Sequence, residues 1–213
     1  KSKYIRSIKL MNCNSSEGLD IFSQALSANK SLPLEELFLN DNEFDDLSPL
    51  INSLSCLQSQ ITHLSLTDCG LNETTLDLLG NILLTSESLK NLKYLGIGGM
   101  EYSENSIKTV LKYIQSTSHL VTLDLSGSKN FSTILKAVPG SSITDLNLSD
   151  CIFDDKSVSQ LNHACQFVPT LNISGCDLNF YEVSNVISKV GKKLDLLVSI
   201  KLNGLNFSKE RSL

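Results

Sequence analysis

The sequence predicts an α/β solenoid of about eight repeats, with short parallel strands on a concave face and helices on a convex face. Two observations predict it. One spacing of apolar residues recurs along the whole chain, and between its copies the apolar period changes from 2 to 3.6. A period of 2 puts alternate side chains on one face of a strand, and a period near 3.6 gives a one-sided helix. Repeats of this size bury their apolar faces only by stacking on their neighbours, so the whole of 1–213 is expected to form a single domain.

The recurring unit reads apolar, two residues, apolar, one residue, apolar, two residues, then Cys or Asn. Its first copy is Ile5, Ile8, Leu10 and Cys13, followed by a loosely spaced helical segment over 16–28. The second is Leu34, Leu37, Leu39 and Asn42, followed by Leu47, Leu50, Ile51 and Leu54 at helical spacing. The third is Ile61, Leu64, Leu66 and Cys69, with a helical segment over 73–84. The fourth is Leu92, Leu95 and Ile97 with Met100 in the last place, and then Ile107, Val110, Leu111 and Ile114. Its exit carries Gly96, Gly98 and Gly99, so it is expected to be the least regular part of the arc.

The fifth copy is Leu120, Leu123 and Leu125 with Ser128. It is shortened: residues 131–138 leave room before Pro139-Gly140 for one turn or a 3₁₀ piece only. The sixth is Ile143, Leu146, Leu148 and Cys151, with a helix opened by Asp155 and Lys156 and carrying Val158, Leu161 and Cys165. The seventh is Val168, Leu171, Ile173 and Cys176, with Val183, Val186, Ile187 and Val190 after it. The eighth is Leu197, Ile200, Leu202 and Leu205. The second apolar position thus runs from residue 8 to residue 200, 192 residues in seven steps or about 27 per repeat. Neither end carries a polar cover of the kind terminal repeats need, so a fragment of a longer array is expected.

The pattern matches the leucine-rich repeat. With Cys or Asn where the chain turns off the strand, it resembles the intracellular ribonuclease-inhibitor-like class, most closely in Leu146-Asn-Leu-Ser-Asp-Cys151 and Leu171-Asn-Ile-Ser-Gly-Cys176. The uneven repeats and the Ser-Gly and Ser-Asp exits are also similar to CARMIL-type scaffolds, which regulate actin assembly at membranes. That resemblance implies a protein-binding scaffold in cytoskeletal or signalling regulation. Translocated bacterial effectors and the sensor arrays of nucleotide-binding immune receptors use similar repeats. A regulatory or autoinhibitory array of a larger switch protein is therefore the alternative reading.

Composition narrows the function classes. Net charge is −5 and no basic face is visible, which argues against nucleic acid. No apolar stretch approaches the roughly 18 residues that span a bilayer, so no direct membrane insertion is expected. The six Cys show no C-x-x-C and no dense cluster, which fits reduced thiols and a cytoplasmic location. Cys151 and Cys176 share one repeat position in adjacent repeats, where either a disulfide or two separate thiol-to-backbone bonds is open. His63, His119 and His163 have no partner at a catalytic or metal-ligand spacing, and no phosphate-cradling loop is present. No catalytic residue, metal or cofactor is expected.

Partner-binding residues are expected on the strand positions that face away from the core. Glu36, His63, Tyr94 and Asp145 precede the second apolar residue, and Phe38 and Asp124 follow it. Phe38, His63 and Tyr94 fall on three successive strands, either as anchors for a partner or packed on one another. Glu36, Asp41, Asp68, Asp124, Asp145 and Asp150 make this side acidic, which either favours a basic segment of a partner protein or only solubilises the face.

Overall fold

The computed structural model describes residues 4–193 and 199–205. Leu197, Asn206 and the lysines at positions 1 and 3 lie outside the described residues. Eight three-residue strands form one sheet: β1 (Ser7–Lys9), β2 (Glu36–Phe38), β3 (His63–Ser65), β4 (Tyr94–Gly96), β5 (Thr122–Asp124), β6 (Asp145–Asn147), β7 (Thr170–Asn172) and β8 (Ser199–Lys201). They are parallel and lie in sequence order. The register is the one the repeat spacing requires. Ile8, Leu37, Leu64, Leu95, Leu123, Leu146, Leu171 and Ile200 pair one to the next across the sheet.

Seven α-helices alternate with the strands among the described residues: α1 (Ser16–Ala28), α2 (Ser48–Ser55), α3 (Glu73–Thr85), α4 (Lys108–Ser116), α5 (Ser132–Ala137), α6 (Asp155–Ala164) and α7 (Phe180–Ile187). The core lies between the two layers. The second and third apolar residues of repeats two to seven, from Leu37 and Leu39 to Leu171 and Ile173, are wholly buried. Strands pack about 4.8 Å apart and helices about 8–10 Å apart, so the helical layer spans the longer arc and the sheet is the concave side.

Each repeat exit is built the same way. The fourth residue after the second apolar position has a positive φ in all eight repeats: Asn12, Asp41, Asp68, Gly99, Gly127, Asp150, Gly175 and Gly204. Asn, Asp and Gly are the residues that enter this left-handed region at least cost. The Cys/Asn position then ties neighbouring repeats together. Asn42 donates from Nδ2 to the Leu10 carbonyl (2.8 Å) and accepts the Cys13 amide (2.6 Å). The thiols of Cys69, Cys151 and Cys176 donate to the carbonyls of Leu39, Leu125 and Leu148, the equivalent groups of the repeats before them. Cys151 and Cys176 thus bond separately to backbone, and all six cysteines are free.

Three expectations are corrected. The glycine-rich β4 is as well paired as its neighbours, in register with β3 and β5. Its glycines are needed for close approach. A Cβ at residue 98 would lie 2.2 Å from the Ser126 carbonyl oxygen, and one at residue 96 would lie 2.2 Å from Ser65 Oγ. The shortened fifth repeat holds a six-residue α-helix, a little longer than the single turn or 3₁₀ piece expected. Phe131, wholly buried and edge-on to Phe153 (centroids 5.0 Å apart), fills core volume beside it. The 3₁₀ turns sit elsewhere, at Glu87–Leu89 and Cys165–Phe167. α7 ends at Ile187, which is half exposed, so Val190 lies beyond the helix.

The ladder is also modified where Ser128 stands. Its hydroxyl is buried against that of Tyr102. Tyr102 donates instead to the Ile97 carbonyl, at 2.6 Å, and so satisfies the group a Cys or Asn at 128 would have reached.

Candidate protein-interaction surface

The outer face of the sheet brings Phe38, His63 and Tyr94 into one cluster. Phe38 and Tyr94 have ring centroids 5.8 Å apart, His63 and Tyr94 6.1 Å, and Phe38 and His63 6.4 Å. The register explains the shape. Phe38 is level with Ser65 and Gly96 on the next two strands. With a small side chain and then none in its way, its ring leans over Ser65 towards Tyr94. Ser65 and Thr67 are buried beneath the cluster. The three rings are half-buried and pack on one another, rather than standing free as three separate anchors.

The acids divide into two sets. Asp41, Asp68 and Asp150 are exposed at the left-handed exits, where backbone geometry selects them. Glu36, Asp124 and Asp145 lie on the strands. Glu36 accepts from Ser7 Oγ (2.9 Å), and its other oxygen is 4.0 Å from His63 Nδ1. His63 Nδ1 also lies 2.9 Å from Thr62 Oγ1. Asp145 is half-buried. Burial, joined by the Asp124 carboxylate and offset by Lys201, raises its pKa above the usual carboxylate range. Asp68 is raised as well, by desolvation first and then by Asp41, Asp124 and Asp150.

Asp124 is not the exposed acid its strand position suggests. It is 8% exposed. Its Oδ2 accepts the Tyr94 hydroxyl (2.8 Å), and its Oδ1 accepts the Ser126 amide (2.9 Å) and hydroxyl (2.7 Å). Burial and the carboxylate beside it push the Tyr94 phenol far up, so the ring stays neutral and acts as a donor. At the edges of the face stand two lysines. Lys9 Nζ lies 4.9 Å from the Phe38 ring centroid, and Lys201 stands in β8 beyond Asp145.

Two depressions of about 200 and 240 Å³ lie off this face, one lined by Tyr102, Glu104, Asn130 and Lys156, the other by Lys90, Tyr113 and His119. Among the described residues no group of His, Cys, Asp and Glu is placed to hold a metal, and no helix is long and apolar enough to cross a membrane. The surface is suited to recognition by stacking and charge. No protein-family model matches the chain, and no curated protein matches it.

The repeat spacing locates the six candidate residues on the outer face but not their partners. The uniform exit position was there to be read, because Asn, Asp or Gly stands at it in every repeat. The hydrogen bond from Tyr94 to Asp124 left no signal, since nothing in the spacing says which neighbouring side chains lean together.

Proposed function

We propose that the outer sheet face docks another protein, and that the chain works as an interaction scaffold. The aromatic cluster of Phe38, His63 and Tyr94, fixed on rigid strands and flanked by Glu36, Asp124 and Asp145, is the observation that supports this reading. Half-buried aromatic groups supply contact area at little entropy cost, and acids around them favour a partner segment that is basic. A place among leucine-rich-repeat proteins of the ribonuclease-inhibitor-like class rests on the repeat consensus and on the Asn and Cys side chains that tie repeat to repeat. A cytoplasmic location fits thiols used as hydrogen-bond donors, since oxidation would remove those bonds.

Capture of partners on immobilised chain tests the reading. A Phe38→Ala/Tyr94→Ala variant is expected to lose the captured protein, whereas Ile21→Ala, on the exposed side of α1, keeps it. Circular dichroism checks that both variants fold. Equal capture by the double variant and wild type would place docking elsewhere.

A further inference from the structure

The exit bond that Asp124 makes does not need a negative charge. Its backbone task is to accept the amide two residues on, at the strand exit. Asn147 does the same for Ser149 (3.2 Å) and Asn172 for Ser174 (3.1 Å), at the same register position in β6 and β7. A neutral amide is therefore sufficient for the exit bond. At 124 there is instead a carboxylate, over nine-tenths buried, whose hydrogen-bond donors are a phenol and a serine. Among the described residues it has no ion pair. A carboxylate so placed gives up much of its hydration without a cation in return.

The surroundings point to what supplies the cation. Tyr94, bonded to Asp124, presents an aromatic ring beside His63 and Phe38. The cluster already holds a cation at one end, where Lys9 Nζ stands over Phe38. Among the described residues no lysine or arginine stands over the Tyr94 and His63 rings. A planar cation that stacks on a ring and offers a fork of donors to a carboxylate is a guanidinium, and it suits this end better than an ammonium does.

We infer that the Tyr94–Asp124 pair on the concave face receives an arginine side chain from an extended, basic segment of a partner protein. This rests on the docking reading above and names the group that docks. Two strand steps, about 10 Å, separate β4 from β6 and its half-buried Asp145. An extended segment covers that distance in about three residues. A second basic residue three positions from the arginine would meet Asp145.

The probe is the peptide acetyl-Gly-Arg-Gly-Ser-Arg-Gly-amide, titrated into the isotopically labelled full chain and followed by amide NMR. Saturable shifts are expected at Tyr94, Gly96 and Asp124. The same peptide with citrulline in place of arginine keeps shape and loses charge, and it is expected to bind at least tenfold more weakly. Asp124→Asn, which keeps the exit bond as Asn147 and Asn172 do, is expected to weaken the arginine peptide at least fivefold. Equal binding of the citrulline or a lysine peptide, unchanged binding by Asp124→Asn, or shifts scattered over remote acids such as Asp77 and Glu87 would each overturn the inference. If the Phe38→Ala/Tyr94→Ala variant loses its partner while the arginine peptide leaves Tyr94 unshifted, the docking reading stands and the arginine assignment falls.

Discussion

Asp145 and Asp154 are chemically identical and respond to pH in opposite senses, because one is desolvated and the other is solvated by its own helix. Asp154 accepts from the Ser157 hydroxyl and amide, and those bonds lower its pKa. Its contribution to stability is present above the ordinary carboxylate pKa and is lost as pH falls through the lowered value. Asp145 is raised, chiefly by burial. Its charged form costs stability, fully so above the raised value, and the cost disappears as pH falls below the ordinary one. Asp145→Asn is therefore expected to raise Tm at pH 7 by a small amount, on the order of 1 °C given its partial exposure. The gain should shrink towards zero below about pH 3.5, where an ordinary Asp is mostly protonated. Thermal melts at the two pH values check this, and a gain unchanged at low pH would contradict the desolvation account.

Among the helices, starting signals differ. α3, α6 and α7 open with reciprocal capping boxes built on Asn72, Asp154 and Asn179, and α1 opens with the Ser15 side chain. In α2, α4 and α5 the N-cap residue makes no side-chain bond, and these helices are held by burial of residues such as Leu50, Val110 and Ile134. Asp154→Ala removes one acceptor from the start of α6 and leaves the Ser157 amide without its side-chain partner. It is expected to destabilise the protein by about 1 kcal/mol in urea unfolding at pH 7. The loss should shrink at low pH, where Asp154 is protonated in the parent too. An undiminished loss at low pH would show that the charge plays no part in the cap.

At the scale of the molecule, each repeat packs chiefly on its neighbours, the Phe38–Tyr94 contact across β3 aside, so stability is close to a chain of nearest-neighbour interfaces. Leu123 sits in the fifth strand, wholly buried, between Leu95 and Leu146. Leu123→Ala is expected to cost about 2–5 kcal/mol. Hydrogen exchange should report the damage first in β4 to β6, with β2 and the Cys69 exit of β3 protected longer. Uniform loss of protection along the array would instead mean that the eight repeats unfold as one unit.

The sequence by itself determined the repeat count, the strand register and the outward positions, because stacking identical units leaves one way to bury a Leu-x-Leu strand. It also determined the shortening of the fifth repeat, since Pro139-Gly140 limits the chain available for a helix. The tertiary structure alone decided what the outward residues do. Gly96 and Ser65 let Phe38 lean into a cluster with Tyr94, and that packing depends on the strands to either side. Asp124 stands in sequence as one acid among several. Only its neighbours show it to be buried, held by a phenol and a serine, at a register position where Asn147 and Asn172 manage without a charge. Spacing along a chain fixes which face a residue lies on, whereas burial and partners depend on side chains that come from other repeats.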